Sequence, residues 1–296
     1  MDLKTYLDEK RTLVNDALER LFPDSEGPAG ELLRAMKYSV FAGGKRLRPI
    51  LCIAGAEAVG GDAEKALPIA CALELIHTYS LIHDDLPVMD DDDLRRGKAT
   101  SHKVFGEALA LLAGDGLLTE AFHLMTGKGS TDRIPPGPVL RVIHMIAEAA
   151  GHRGMVGGQV VDIQSEGRDV DFALVEFIHR HKTGALIAVS VTSGAVVGGG
   201  SEKDIEAMAL YGQKTGLAFQ IADDILDVEG DAREMGKGVG GDAQKKKMTY
   251  PSVIGLQESK KIQKEMAEQA IESLKPYGRE ADPLRAIARY IIERKK

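Results

Sequence analysis

Residues 73–93 read LELIHTYSLIHDDLPVMDDDD. Leu73, Leu75, Ile76, Leu81 and Ile82 form an apolar helical stretch that runs straight into Asp84 and Asp85. From Asp84 to Asp93, six carboxylates fall within ten residues, and without a counter-charge they repel each other strongly. A charge run of this kind ordinarily faces water. Here it follows a buried helix directly, so the acids cap an element of the interior.

A second acidic group has helical spacing. Gln220, Asp223, Asp224 and Asp227 stand at i, i+3, i+4 and i+7, which places one amide and three carboxylates on a single face. Ile221, Ala222, Ile225 and Leu226 fill the positions between them. A helix that buries its apolar side and lines up acids beside it makes chemical sense if it faces the first cluster across a cavity. Carboxylate oxygens suit Mg²⁺, which keeps several waters and takes further ligands from substrate phosphates. An EF-hand is excluded: its sixth position requires Gly, and counting from Asp84 or Asp90 that residue is Met89 or Arg95.

Outward from these two stretches the apolar period remains helical. Leu3, Leu7, Val14, Leu18 and Leu21 make one stripe, and Ile262, Met266 and Leu274 continue the style. Asp282-Pro283 reads as an N-cap and first-turn pair before Leu284, Ile287 and Ile291, and Arg294-Lys295-Lys296 suit the negative end of that helix. Breakers at Gly43-Gly44, Gly60-Gly61, 127–138, 198–200 and 236–241 mark the helix ends, and no convincing run of alternating strands occurs. The expected fold is all-α: a single domain over residues 1–296, a bundle of about ten to thirteen helices around a central cavity.

Composition narrows the function classes. Lys and Arg number 38 against 45 Asp and Glu, so the net charge is −7, and there is no Trp. An acidic chain is poorly suited to nucleic acid. Two cysteines, Cys52 and Cys71, lie in apolar surroundings and read as buried thiols rather than a disulfide scaffold. Residues 1–21 carry no signal-peptide apolar block. Thr183 to Ser201 is the one long uncharged stretch; its Gly, Ser, Thr and Ala content reads as a helix buried on all sides of a bundle, without stable membrane insertion. The expected location is cytoplasmic.

Cations accompany the acids. Lys45 and Arg48 follow the Gly43-Gly44 turn one helical turn apart, His77 precedes Asp84 by seven residues on the same face, and Arg95 and Arg96 follow the acidic run. Lys182-Thr183 opens the uncharged helix, whose N-terminus is expected to welcome an anion, and Lys237 lies in a glycine loop. Together they describe a cavity holding acids, Mg²⁺ and two diphosphates. The glycines of 236–241 match the spacing of a dinucleotide fingerprint, but an acidic helix precedes them instead of a strand, which rejects that reading.

These stretches resemble the motifs of trans-isoprenyl diphosphate synthases. Asp84-Asp85, four residues and Asp90, followed by Arg95-Arg96-Gly97, is similar to the family's first aspartate-rich motif, and Asp223-Asp224-Ile225-Leu226-Asp227 to its second. Gly44-Lys45-Arg46-Leu47-Arg48-Pro49, Gly157-Gly158-Gln159, Lys182-Thr183 and Gly236-Lys237 match in the same order, nearly end to end. The subgroup most similar is the bacterial one that makes farnesyl diphosphate, while the four-residue gap is shared with plant-type geranylgeranyl synthases. The resemblance implies an allylic substrate, dimethylallyl or geranyl diphosphate, held through three Mg²⁺, with Mn²⁺ able to substitute. Asp84, Asp85 and Asp90 are implied on one side and Asp223, Asp224 and Asp227 on the other. Arg95, Lys182, Thr183, Gln220 and Lys237 are implied at the allylic diphosphate, with Lys182, Thr183 and Gln220 also beside the developing cation. Lys45, Arg48, His77 and Arg96 are implied to hold isopentenyl diphosphate. Tyr79 and Ser80, five and four residues before Asp84, are implied to limit product length, the aromatic Tyr79 accompanying C15 product. A homodimer is also implied. The alternatives are a C20 synthase, a terpene cyclase, which the second motif and Lys45/Arg48 oppose, and a non-catalytic regulatory subunit, which two intact acidic motifs oppose.

Overall fold

The computed structural model describes residues 1–23, 27–168, 171–229 and 248–293. The described residues are helical nearly throughout. In chain order the helices are α1 (Leu3–Leu21), α2 (Gly30–Val40), α3 (Leu47–Ala58), α4 (Ala63–Asp84), α5 (Ser101–Phe105), α6 (Glu107–Thr126), α7 (Lys128–Thr131) and α8 (Pro136–Ala150). Then come α9 (Met155–Ser165), α10 (Phe172–Ile178), α11 (Ala185–Gly198), α12 (Glu202–Glu229), α13 (Tyr250–Ile254), α14 (Leu256–Ser273) and α15 (Asp282–Glu293).

Local chemistry sets the ends. Asp2 accepts from Thr5 N at 3.0 Å to cap α1, and Asp62 accepts from Glu64 N at 3.0 Å to start α4. The α1 stripe is as the periodicity predicts: Val14 and Leu18 are fully buried, and Leu3, Leu7 and Leu21 pack at the margin of the core. Pro136 sits at the start of α8, where its missing N–H costs nothing. Asp282 is the first residue of α15 rather than its cap, because a 3₁₀ turn, Arg279–Ala281, feeds the helix; residues 294–296 lie outside the described residues.

The uncharged stretch forms the axis of the bundle. α11 packs against α3, α4, α8 and α12 and is buried on every side, as its composition requires. It approaches α3 backbone to backbone: a Cβ on Gly194 would stand 1.9 Å from Cys52 O, and one on Gly55 2.3 Å from Val191 O. Both cysteines are buried free thiols, pushed up by burial.

Two features depart from the sequence reading. Leu94–Arg95 and Lys98–Ala99 form a two-strand hairpin, β1 and β2, with Arg95 opposite Lys98. Its two-residue turn, Arg96-Gly97, has φ of 55° and 77°, the type I′ geometry that matches strand twist. Strands this short carry no alternation to read. The second departure is at Lys182-Thr183. Residues His179–Gly184 form a π-helical turn that joins α10 to α11 without a break, and Gly184 is itself helical. The backbone N–H groups there belong to a continuing helix, so the expected helix N-terminus is absent. A π turn of this kind inside a helix is frequently a functional site.

Candidate active site

A cavity of about 1310 Å³ opens between the C-terminal end of α4, the α9 and α10 side, and the last turns of α12. Asp84 and Asp90 line it from one side and Gln220, Asp223 and Asp224 from the other. Asp84 stands at the C-terminus of α4, where the macrodipole is already negative. That placement raises the local demand for cations.

Asp84 ends α4 and is the carboxylate under most pressure. Burial pushes it up to about 6, Lys182 pulls it back, and Asp90 and Asp85 push it further. Asp90 is held near it by its backbone N–H, which donates to Asp84 O at 2.9 Å. Asp85 behaves differently. It is buried, does not line the cavity, and accepts from Arg95 Nε at 2.9 Å; Arg95 also reaches Asp92 at 3.2 Å. Asp85 therefore fixes the guanidinium of Arg95 at the cavity wall. On α12, Asp223 is exposed to the cavity and accepts from Gln220 Nε2 at 3.2 Å. Asp224 is buried and accepts from His179 Nε2 at 2.7 Å and Tyr250 N at 2.9 Å. Asp227 does not line the cavity, and Lys237 lies outside the described residues.

The donor set is all oxygen, which fits a hard cation such as Mg²⁺. Among the described residues no three acidic, His or Cys side chains converge enough to hold an ion by themselves. A bound diphosphate is suited to supply the rest.

The cations gather at the loop before α3. Gly43 and Gly44 have φ of 107° and 131°, and Arg96 Nη1 donates to Gly43 O. A Cβ on Gly44 would stand 2.4 Å from Arg96 Nη1, so Gly44 leaves the space the guanidinium occupies. Lys45, Arg46 and Arg48 all border the cavity, but Arg46 is buried and fully engaged by protein partners. It bonds Glu74 at 2.7 Å, Asn15 at 2.9 Å and Val40 O at 2.7 Å. Arg48 is lowered to about 10 by burial, and its Nε is buried without a hydrogen-bond partner among the described residues. His77 faces the same space. Burial, then Arg48, Arg96 and Arg95, hold its imidazole well below the usual range, so it is neutral at pH 7 rather than one more positive charge.

Lys182 and Thr183 line the cavity from the π turn. Two partners of that turn escaped the reading of single residues. Asp162 of α9 accepts from Lys182 Nζ at 2.6 Å, and Gly158 lies so close that a Cβ there would be 2.3 Å from Lys182 N. Gln159 also lines the cavity, its Oε1 buried without a partner among the described residues. The signal was present: Gly157-Gly158-Gln159 precedes Asp162 by less than one helical turn. Below Asp84 on α4, Tyr79 is buried at the cavity wall and Ser80 donates to His77 O at 2.9 Å. The Tyr79 ring meets His83 edge-on at 5.5 Å, and His83 Nε2 bonds Leu111 O at 3.0 Å.

Comparison with known proteins agrees with this geometry. The polyprenyl synthetase family pattern matches residues 30–287. The chain is 48% identical over 293 residues to the farnesyl diphosphate synthase of Geobacillus stearothermophilus, covering 99% of this chain and 97% of that one. It is 49% identical over 302 residues to the heterodimeric geranylgeranyl pyrophosphate synthase large subunit 1 of Arabidopsis thaliana chloroplasts, covering 99% and 80%. The crystal structure of an FPP/GFPP synthase from Zymomonas mobilis superposes with a TM-score of 0.86 at 37% identity, covering 98% of each chain. The chain belongs to the polyprenyl synthetase family: it is a trans-prenyl diphosphate synthase, a prenyltransferase acting on isoprenyl diphosphates.

Proposed function

We propose that the chain condenses isopentenyl diphosphate with dimethylallyl and then geranyl diphosphate, and stops at (2E,6E)-farnesyl diphosphate. Tyr79 carries this reading. A growing tail points away from its diphosphate, along α4. Five residues before Asp84 at ~1.5 Å each puts Tyr79 ~7.5 Å deeper. The ring is braced there by His83, which is itself tied to α6. Ser80 lies on the same helix face but is too small to block.

The allylic diphosphate occupies the space between α4 and α12, with Asp84, Asp90 and Asp223 as the residues that would hold Mg²⁺. When bound, the metal neutralises charge developing on the leaving diphosphate. Lys182 and Arg95 contact that diphosphate from the walls, and Gln220 and Thr183 turn oxygens toward the allylic cation. Lys45, Arg48 and Arg96 anchor the second diphosphate without activating it, because that one must stay bonded. The isopentenyl double bond attacks the allylic carbon, and the proton lost afterwards goes to the released diphosphate. The face of α6 where Leu112 is exposed fits a homodimer contact.

The deciding experiment is chromatography of dephosphorylated products from labelled isopentenyl diphosphate. The native chain is expected to stop at C15, and Tyr79→Ala to extend to C20 or beyond. Native product at C20 supports the geranylgeranyl reading instead. An active Tyr79→Ala that still stops at C15 removes Tyr79 as the floor.

A further inference from the structure

Asp224 sits in the middle of the second acidic motif, yet its environment differs from that of Asp223 beside it. It is 7% exposed, and its Oδ2 accepts two N–H groups, from His179 Nε2 at 2.7 Å and from the backbone of Tyr250 at 2.9 Å. A carboxylate has no proton to give, so the imidazole is the donor and Nε2 carries the hydrogen. His179 is also buried, and its ring stacks on that of Tyr250 with centroids 5.2 Å apart and planes 23° from parallel. Three elements meet at this carboxylate: the π turn, α12 and the first residue of α13.

The sequence positions give the contact its consequence. His179 opens the π turn whose next residues include Lys182 and Thr183. Asp224 follows Asp223 and lies one helical turn after Gln220. The bond from His179 to Asp224 therefore ties the cation-bearing turn to the acid-bearing end of α12, against which the turn also packs, 45 residues apart in sequence. A charge-assisted hydrogen bond between two buried groups is directional and short, so it fixes the rotation of one element against the other.

We propose that His179 is a positioning residue: through Asp224 it holds the turn bearing Lys182 and Thr183 in register with Gln220 and Asp223, so that cations and carboxylates reach the same diphosphate. Asp224 is then an anchor inside the motif, its Oδ2 taken by His179 and Tyr250 although it too lines the cavity, and Asp223 is the more exposed member. The proposal rests on the reading that an allylic diphosphate lies between α4 and α12.

The test is calorimetric binding of inorganic diphosphate in the presence of MgCl₂ to the full chain, beside metal-free binding of isopentenyl diphosphate. His179→Asn, too short to reach Asp224, is expected to weaken ion-dependent diphosphate binding at least tenfold. It is also expected to leave isopentenyl diphosphate binding within twofold of native. His179→Gln, whose side-chain N–H reaches as far as Nε2, is expected to recover most of the loss. If His179→Asn binds diphosphate like the native chain and only its melting temperature falls, His179 is a packing residue and the proposal fails. If His179→Gln is as weak as His179→Asn, the bond to Asp224 is not the cause, and the proposal fails again. Should either variant not fold, the other is still compared with the native chain. A native chain without ion-dependent diphosphate binding would remove the site reading itself, and this proposal with it.

Discussion

The ammonium of Lys182 stands 2.6 Å from the Asp162 carboxylate, and both side chains line the cavity. The pair is partly buried, so Asp162 balances the charge of Lys182 and fixes its direction before any anion arrives. A hydrogen bond to a charged group contributes ~1.5–3 kcal/mol, or about one to two decades. Asp162→Ala should lower kcat/KM for the allylic diphosphate by that factor, with Asp162→Asn intermediate and the KM for isopentenyl diphosphate unchanged. Steady-state kinetics with each substrate varied in turn checks this; native-like kcat/KM in Asp162→Ala would show that the pair has no part in binding.

Arg46 and Arg48 are two positions apart and have opposite duties. Arg46 is 4% exposed and paired with Glu74, which is 2% exposed. Arg46→Ala leaves a buried unpaired carboxylate and should cost ~3–5 kcal/mol of stability. Arg48→Ala should fold normally and weaken isopentenyl diphosphate binding by about one to two decades. Melting curves and binding isotherms on the two variants separate the roles; the reversed pattern would mean the wrong arginine faces the substrate.

Asp84 links the site to stability. Its carboxyl is raised from 3.8 to about 6, chiefly by burial. The folded chain therefore holds a proton there more tightly than the unfolded chain, and stability falls as pH rises from 3.8 through about 6. At ~1.4 kcal/mol per pH unit, the full cost above that range is roughly 3 kcal/mol. In excess chelator at pH 7.5, Asp84→Asn should melt higher than the native chain, and the gap should close as pH falls toward 4. The same substitution should lower turnover by orders of magnitude, because the lost interaction belongs to the leaving group. Equal melting temperatures at pH 7.5 would contradict the burial of an ionised Asp84.

Gly158 decides whether α9 can reach the π turn. A Cβ there would meet Lys182 N at 2.3 Å and Lys182 Cα at 2.7 Å, and backbone cannot swing aside. Gly158→Ala should cost ~1–3 kcal/mol of stability. It should also displace Lys182, seen as a weaker allylic diphosphate interaction. A denaturant midpoint identical to native would show that the two elements separate more easily than their contact indicates.

Much of the site was legible because chemistry and periodicity coincide. The 220–227 spacing fixes which side chains share a face whatever surrounds the helix, and the apolar run before Asp84 fixes that the acids begin at a buried helix end. The all-α class follows from the same period repeated along the chain. The buried axis was legible too, since a stretch without charge finds no stable surface position in water.

Other assignments depended on distances that no spacing encodes. Asp84 and Asp85 are adjacent letters, but one lines the cavity and the other is buried against Arg95. Asp223 and Asp224 both line the cavity, but Asp223 is exposed there while Asp224 is buried with its Oδ2 bonded to His179. Adjacent residues on a helix point about 100° apart, so which one meets substrate depends on the neighbouring element. His77 reads as a cation in isolation and is neutral in place, because its charge state is set by burial and by arginines from other segments. The helix start expected at Lys182 vanished into a π turn, since backbone bonding is decided by the chain on both sides. The sequence by itself determined the helices, the acids and the cations; only the tertiary structure decided which acid of each pair is buried against a partner and which is left open, because desolvation and partner geometry exist only once distant segments meet.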